Sequence, residues 1–223
     1  MTTKKLYIIR HGETELNKKG IAQGSGVDSK LNEIGKQQAL AFFNSYQHIP
    51  FDKVYTSLLQ RTHQSVAHFL EKQIAWQQFG GLNEISWGER EGRPLTSQDD
   101  QEYFAILDAW QNGDLYAKTK GGESPIEVYE RQKEALTQIM AHTDEKNILI
   151  CMHGRAMRVF LCLLLDLPLI NMKNFAHTNL CLYTLLFDGK KFSLELSNNT
   201  DHLHHNLDFK IHHKSNSPSL GSF

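Results

Sequence analysis

Three short apolar runs in this chain end in residues able to hold and attack an anion. LYII (6–9) passes directly into Arg10 and His11, KVYT (53–56) leads to Ser57 and then Arg61, and NILICM (147–152) stops at His153-Gly154. Arginine forks match phosphate oxygens bidentately. A helix opening at Gly154 would add backbone donors and the positive end of its dipole. Two guanidiniums and two imidazoles in one crevice suit a phosphoryl group. A neutral histidine ring with one free nitrogen is a nucleophile toward phosphorus, and the departing oxygen needs a proton. Glu84, in GGLNEISWGEREGRP (80–94), is the candidate general acid, given partial burial and an anionic substrate to favour its protonated form. Trp87 is better read as packing, although it is near enough to help desolvate Glu84. Transfer to His11 would give a covalent phosphohistidine, after which Glu84 would activate a water. Arg10, Arg61 and His153 would stabilise charge on the equatorial oxygens.

These residues meet only if the runs are strands of one sheet. Strand-type runs at 6–9, 53–56, 74–79, 147–152 and 180–187 alternate with helix-like segments, which indicates an α/β layer with a mostly parallel sheet. In such a sheet the ligand site lies outside the carboxyl ends of the strands. Asn32 reads as the N-cap of a helix to about Tyr46, and a second helix follows Ser57, which could touch phosphate but is better read as its cap. A third, at 99–112, repeats Tyr103, Leu107 and Trp110 before Gly113. The clearest start is GGESPIEVYERQKEAL, with Ser124 at N-cap, Pro125 at N1 and Glu127 at N3, a capping box. Another helix carries MRVFLCLLL after His153-Gly154. Runs 180–187 and 191–197 around Asp188-Gly189 read as an antiparallel hairpin. The expected organisation is one catalytic domain over 1–200 and a polar tail over 201–223.

The chain has 223 residues, enough for one well-packed domain. Its 24 basic and 25 acidic residues nearly cancel, which argues against a dedicated nucleic-acid surface. FLCLLLDLPLI (160–170) is too short to span a bilayer and is broken by Asp166 and Pro168, so no membrane partner is expected. The opening MTTKKLYII is too short for a secretory h-region. Cys151, Cys162 and Cys181 lie scattered in apolar stretches, as reduced thiols of a cytoplasmic protein do.

RHGETELN, QGSGVDSKLNEIGKQQA, YTSLLQRTHQS, LNEISWGEREG, GGESPIEVYER and MHGRAMR occur in the order seen in the histidine phosphatase superfamily, also called phosphoglycerate-mutase-like, and the chain resembles it over roughly residues 5–200. The resemblance implies a three-layer α/β/α sandwich with no metal or cofactor requirement. It further implies His11 as phospho-acceptor, Glu84 as proton donor, a phosphate pocket of Arg10, Arg61 and His153, and Asn17 as an additional phosphate contact. The Gly154 backbone joins them as a donor at the helix start. Asn32 stands where the family often has a capping threonine, which changes little. Arg155 stands where many members carry a small residue, and it stays outside the expected catalytic set.

The superfamily contains phosphatases and mutases. A mutase needs extra cations for a second anionic group, yet 95–117 has no lysine or arginine and carries Asp99, Asp100, Glu102, Asp108 and Asp114. LNEISWGEREG followed by GGES resembles the phosphatase branch, so hydrolysis of a small phosphorylated metabolite is expected. Arg90 and Arg93 keep a mutase as the alternative, since they could bind a remote carboxylate or phosphate. A non-catalytic phospho-ligand binder is disfavoured, because His11, Glu84 and His153 are all present. A metallohydrolase is disfavoured too: the 12 histidines show no HExxH spacing, and His202, His204, His205, His212 and His213 cluster in a segment expected to be solvated.

Overall fold

The computed structural model describes residues 3–94 and 96–204; Leu95 and the tail histidines His205, His212 and His213 lie outside the described residues. In chain order the elements are β1 (Lys4–Arg10), α1 (Glu15–Lys18), α2 (Glu33–Tyr46), β2 (Lys53–Thr56), α3 (Gln60–Glu71), β3 (Trp76–Gln78) and α4 (Ser97–Gln111). They continue with α5 (Pro125–Ala141), β4 (Asn147–Met152), α6 (Gly154–Leu164), β5 (Leu182–Phe187), β6 (Phe192–Asn199) and α7 (Asp201–His204).

The six strands form one sheet in the order β3-β2-β4-β1-β5-β6. β1, β2, β3 and β4 run parallel, β5 pairs antiparallel with β1, and β6 antiparallel with β5. Alternation along each strand divides the core between the two faces. Leu6 and Ile8 join Ile148, Ile150, Val128 and Ile139 of α5, and Phe160 of α6 on one side. Tyr7 and Ile9 join Leu149, Phe42 of α2, and Val66 and Phe69 of α3 on the other. Helices therefore cover both faces, as strands buried on two sides require. Among the described residues, no helix is long and apolar enough to cross a membrane.

Local signals decide most helix starts. Asn32 Oδ1 accepts from Gly35 N at 2.8 Å, and the Ser124–Glu127 capping box is formed. The third helix begins two residues before the expected Asp99: Thr96 is its N-cap, and Asp99 closes a capping box as N3. Ser57 does not cap the second helix. Its hydroxyl meets His153 and Leu59 N instead, while Asp28 Oδ1, from another loop, accepts from Gln60 N at 2.7 Å. The strand expected at 74–79 contracts to Trp76–Gln78 at the sheet edge, where short strands are favoured. The hairpin turn is held by Asp188 Oδ1, which accepts from Lys190 N and Lys191 N.

Two glycines set the loop after β1. A Cβ on Gly12 would lie 2.6 Å from Gly35 O, and one on Gly35 would lie 2.1 Å from Glu13 O. This backbone-to-backbone contact seats the start of α2 against the loop that follows His11. The histidine-rich end also departs from expectation at its first member. His202 is 2% exposed, donates from Nε2 to Leu180 O at 2.8 Å, and packs edge-on against Phe42 and Tyr46. It is a core residue, whereas His204 is exposed.

Candidate active site

A cavity of about 300 Å³ opens at the carboxyl end of β1, and its lining includes Arg10, His11, Asn17, Glu84 and Gly154. β1 delivers Arg10 and His11, α1 delivers Asn17, the segment before α4 delivers Glu84, and α6 starts with Gly154. Five of the seven site residues expected from sequence thus share one concavity.

His11 is 2% exposed, and its Nδ1 stands 2.7 Å from Gly12 O. A carbonyl oxygen only accepts, so Nδ1 carries the hydrogen and Nε2 keeps the lone pair. Burial, reinforced by the Arg61 and Arg10 charges, pushes the ring well below its ordinary titration range, which keeps it neutral. Asn179 Nδ2 donates to His11 O at 3.0 Å and fixes the backbone there. Arg10 Nη1 donates to His177 O at 2.5 Å, while its Nε is buried with no hydrogen-bond partner.

Glu84 sits on the N-terminus of α6. Its Oε1 accepts from Ala156 N at 2.8 Å and Ile85 N at 2.9 Å, and its Oε2 from Arg155 N at 3.1 Å. The carboxylate is oriented by three backbone donors, at the end of the helix where the dipole favours negative charge. Asn17 Oδ1 accepts from Thr14 N in the capping box of α1, which leaves its amide nitrogen as the atom available to an anion.

Arg61 and His153 stand behind this wall and do not line the cavity. Arg61 Nε donates to His153 Nδ1 at 3.2 Å, its Nη1 to Val27 O at 2.6 Å, and its Nη2 to Gly24 O at 3.1 Å. His153 Nδ1 is therefore an acceptor, and Nε2–H donates to Ser57 Oγ at 2.7 Å. The His153 and His11 rings lie 5.1 Å apart between centroids. Direct contact of Arg61 or His153 with phosphoryl oxygens would require exchange of these bonds.

His177 and Asn179 were not singled out in the sequence. The signal was available in the topology: β5 is antiparallel to β1, with Leu182 opposite Ile9, so the loop preceding β5 reaches the site end of the sheet. Arg155, left outside the catalytic set, lines the cavity, and its Nη2 donates to Tyr103 Oη at 2.8 Å. Among the described residues, no group of three or more His, Cys, Asp or Glu is placed to hold a metal.

Burial has a consequence for stability. It lowers the His177 pKa to about 2, with Arg10 adding to the effect, and the His202 pKa to about 4, against an ordinary 6.5. The unfolded chain therefore takes up protons below about pH 6.5 that these folded rings refuse. Their stabilisation is complete above that pH and is lost as pH falls toward the folded values. Each ring is expected to withdraw roughly 1–2 kcal/mol between pH 7 and pH 5. Urea unfolding at the two pH values should show a lower midpoint at pH 5; equal midpoints would refute the expectation.

A mostly parallel sheet with an anion-receptive cavity at its carboxyl ends, built around a neutral histidine, an arginine and a helix-seated glutamate, defines the class to which the chain is assigned. The chain belongs to the histidine phosphatase superfamily (branch 1), whose family model matches residues 6–200. It is similar to the adenosylcobalamin/alpha-ribazole phosphatase of Salmonella typhimurium, 30% identical over 175 residues that cover 77% of this chain and 84% of that protein. It is 41% identical over 101 residues to the fructose-2,6-bisphosphatase TIGAR of Bos taurus, covering 43% of this chain and 37% of that protein. Among solved structures, the alpha-ribazole phosphatase from Shigella flexneri aligns with a TM-score of 0.77 at 26% identity, covering 87% of this chain and 96% of that one.

Proposed function

We propose that this protein is a metal-independent phosphomonoesterase that passes the phosphoryl group of a small phosphorylated metabolite to His11 and then to water. The observation that carries the reading is the orientation of the His11 ring, whose Nδ1–H is spent on Gly12 O so that Nε2 is the nucleophilic atom in the cavity. In the first step the Nε2 lone pair attacks phosphorus and the ester P–O bond breaks. Glu84 takes the proton that the substrate's phosphate monoanion brings into the site and passes it to the departing oxygen, which leaves as the alcohol. In the second step Glu84 takes a proton from water, the hydroxide oxygen bonds to phosphorus, and the P–N bond breaks to release inorganic phosphate and neutral His11.

Arg10 offers its buried, unpartnered Nε to the phosphoryl oxygens, joined by the Asn17 amide and the helix start at Gly154. Arg61 and His153 act from behind: the guanidinium contributes positive potential, and the Arg61–His153–Ser57 chain braces the wall beside His11. Hydrolysis is favoured over isomerisation because the related proteins named above are phosphatases and because the 96–117 segment lacks cations. The three cysteines are free and buried, which suits the cytoplasm.

Phosphate release from a panel of small phosphomonoesters with chelator present tests this. Release should persist, and an alkaline quench should trap an acid-labile phosphoenzyme. Loss of activity on chelation would overturn metal independence. Interconversion of phosphoglycerates without release would overturn hydrolysis in favour of a mutase.

A further inference from the structure

The mechanism uses one anion, yet the cavity presents a second, buried cation whose nitrogens make no hydrogen bond. Arg90 is 4% exposed, and none of its three guanidinium nitrogens has a hydrogen-bond partner. Buried donors that make no hydrogen bond are disfavoured, so such a group ordinarily awaits an acceptor. The guanidinium lies over the Tyr103 ring, 5.0 Å from its centroid. That contact orients the fork but satisfies none of its N–H groups. Its ion pair with Asp100 is long, 4.0 Å from Nη2 to Oδ1 and beyond hydrogen-bond reach, and the Asp100 side chain is half exposed. The neighbouring Arg93 differs: Asp99 accepts from it twice, at 2.9 and 2.7 Å.

Arg90 lines the same cavity as His11, on the wall made by Trp87 and Tyr103 rather than on the strand-end wall of Arg10 and His11. Arg155, held by Tyr103 Oη, brings a second guanidinium to that wall. A planar fork stacked on an aromatic face, with its donors unspent, matches a carboxylate or phosphate.

We propose that Arg90, backed by Arg155, is a second anion-binding point that selects substrates carrying a carboxylate or phosphate group in addition to the phosphate that is cleaved. This rests on the phosphomonoesterase reading above, and it names the chemical class of substrate within it.

The test compares kcat/KM for three matched esters: glycerol 3-phosphate, 3-phosphoglycerate and propane-1,3-diol bisphosphate. The unaltered protein should prefer at least one of the last two by about tenfold or more, the worth of one charge-assisted hydrogen bond. The larger ratio identifies carboxylate or phosphate as the second group. Arg90→Met should collapse that ratio, mainly through KM, as loss of remote binding does. Arg90→Lys, which keeps the charge without the fork, should restore part of it. A ratio near one in the unaltered protein would overturn the proposal. So would a ratio unmoved by Arg90→Met, or an equal loss on all three esters, which a purely structural role would give. If no ester is hydrolysed, the phosphomonoesterase reading is what fails. Calorimetric Kd values for 3-phosphoglycerate and glycerol 3-phosphate then decide the binding point separately: a preference that Arg90→Met removes supports it, and no preference refutes it.

Discussion

His11→Ala is expected to lower phosphate release by about 10⁴-fold or more and to abolish the trapped phosphoenzyme. A nucleophile that forms the covalent intermediate cannot be bypassed without a different, slower route through direct attack of water. Arg10 Nε, the Asn17 amide and Glu84 remain in the variant, so inorganic phosphate should still bind. That separates loss of chemistry from loss of the pocket. The deleted ring is almost fully buried and its Nδ1–H satisfies Gly12 O, so a modest fall in melting temperature should accompany the change. Residual turnover within about tenfold of the unaltered protein would place the nucleophile elsewhere.

Glu84→Gln is expected to reduce turnover of alkyl phosphates by about 10²- to 10⁴-fold, the range for loss of a positioned acid or base. The signature is the dependence on leaving group. An alkoxide leaves slowly without a proton, whereas p-nitrophenolate needs none. With p-nitrophenyl phosphate the first phosphoryl transfer should stay fast, and hydrolysis of the phosphoenzyme should become slow, because the same carboxylate activates the water. A stoichiometric burst of p-nitrophenol followed by slow release is the expected trace. No burst, or equal slowing of both ester classes, would reject the acid–base role. Glutamine also disturbs α6: both carboxylate oxygens accept backbone N–H bonds, so its amide group must face at least one donor. That substitution should cost about 1–3 kcal/mol of stability.

How far the sequence reached is clearest at particular residues. The strands ending at Arg10 and Met152, the Asn32 cap and the Ser124–Glu127 box were all legible, because short apolar runs and capping are local in the chain. α1 was not legible: a single polar turn, ELNK, has no periodicity to read. Thr96 was missed as a cap because its capping-box partner is Asp99 rather than the usual Glu or Gln.

The site divides the same way. Residue type and strand-end position by themselves indicated His11, Arg10 and Glu84 and the phosphoryl chemistry that suits them. They could not say which ring nitrogen of His11 is free, since that depends on where Gly12 O points. They could not place Arg61 and His153 behind the cavity, since carbonyls from the distant loop at Gly24 and Val27 hold the guanidinium there. Nor could they bring in His177 and Asn179, which reach the site only because β5 runs antiparallel to β1. The sequence by itself determined the elements and the chemical kinds of group at their ends, because those follow from short-range pattern. Only the tertiary structure decided which donors and acceptors are already spent and which remain for a ligand, including the guanidinium of Arg90, whose nitrogens make no hydrogen bond, because hydrogen-bond partners are drawn from residues far apart in the chain.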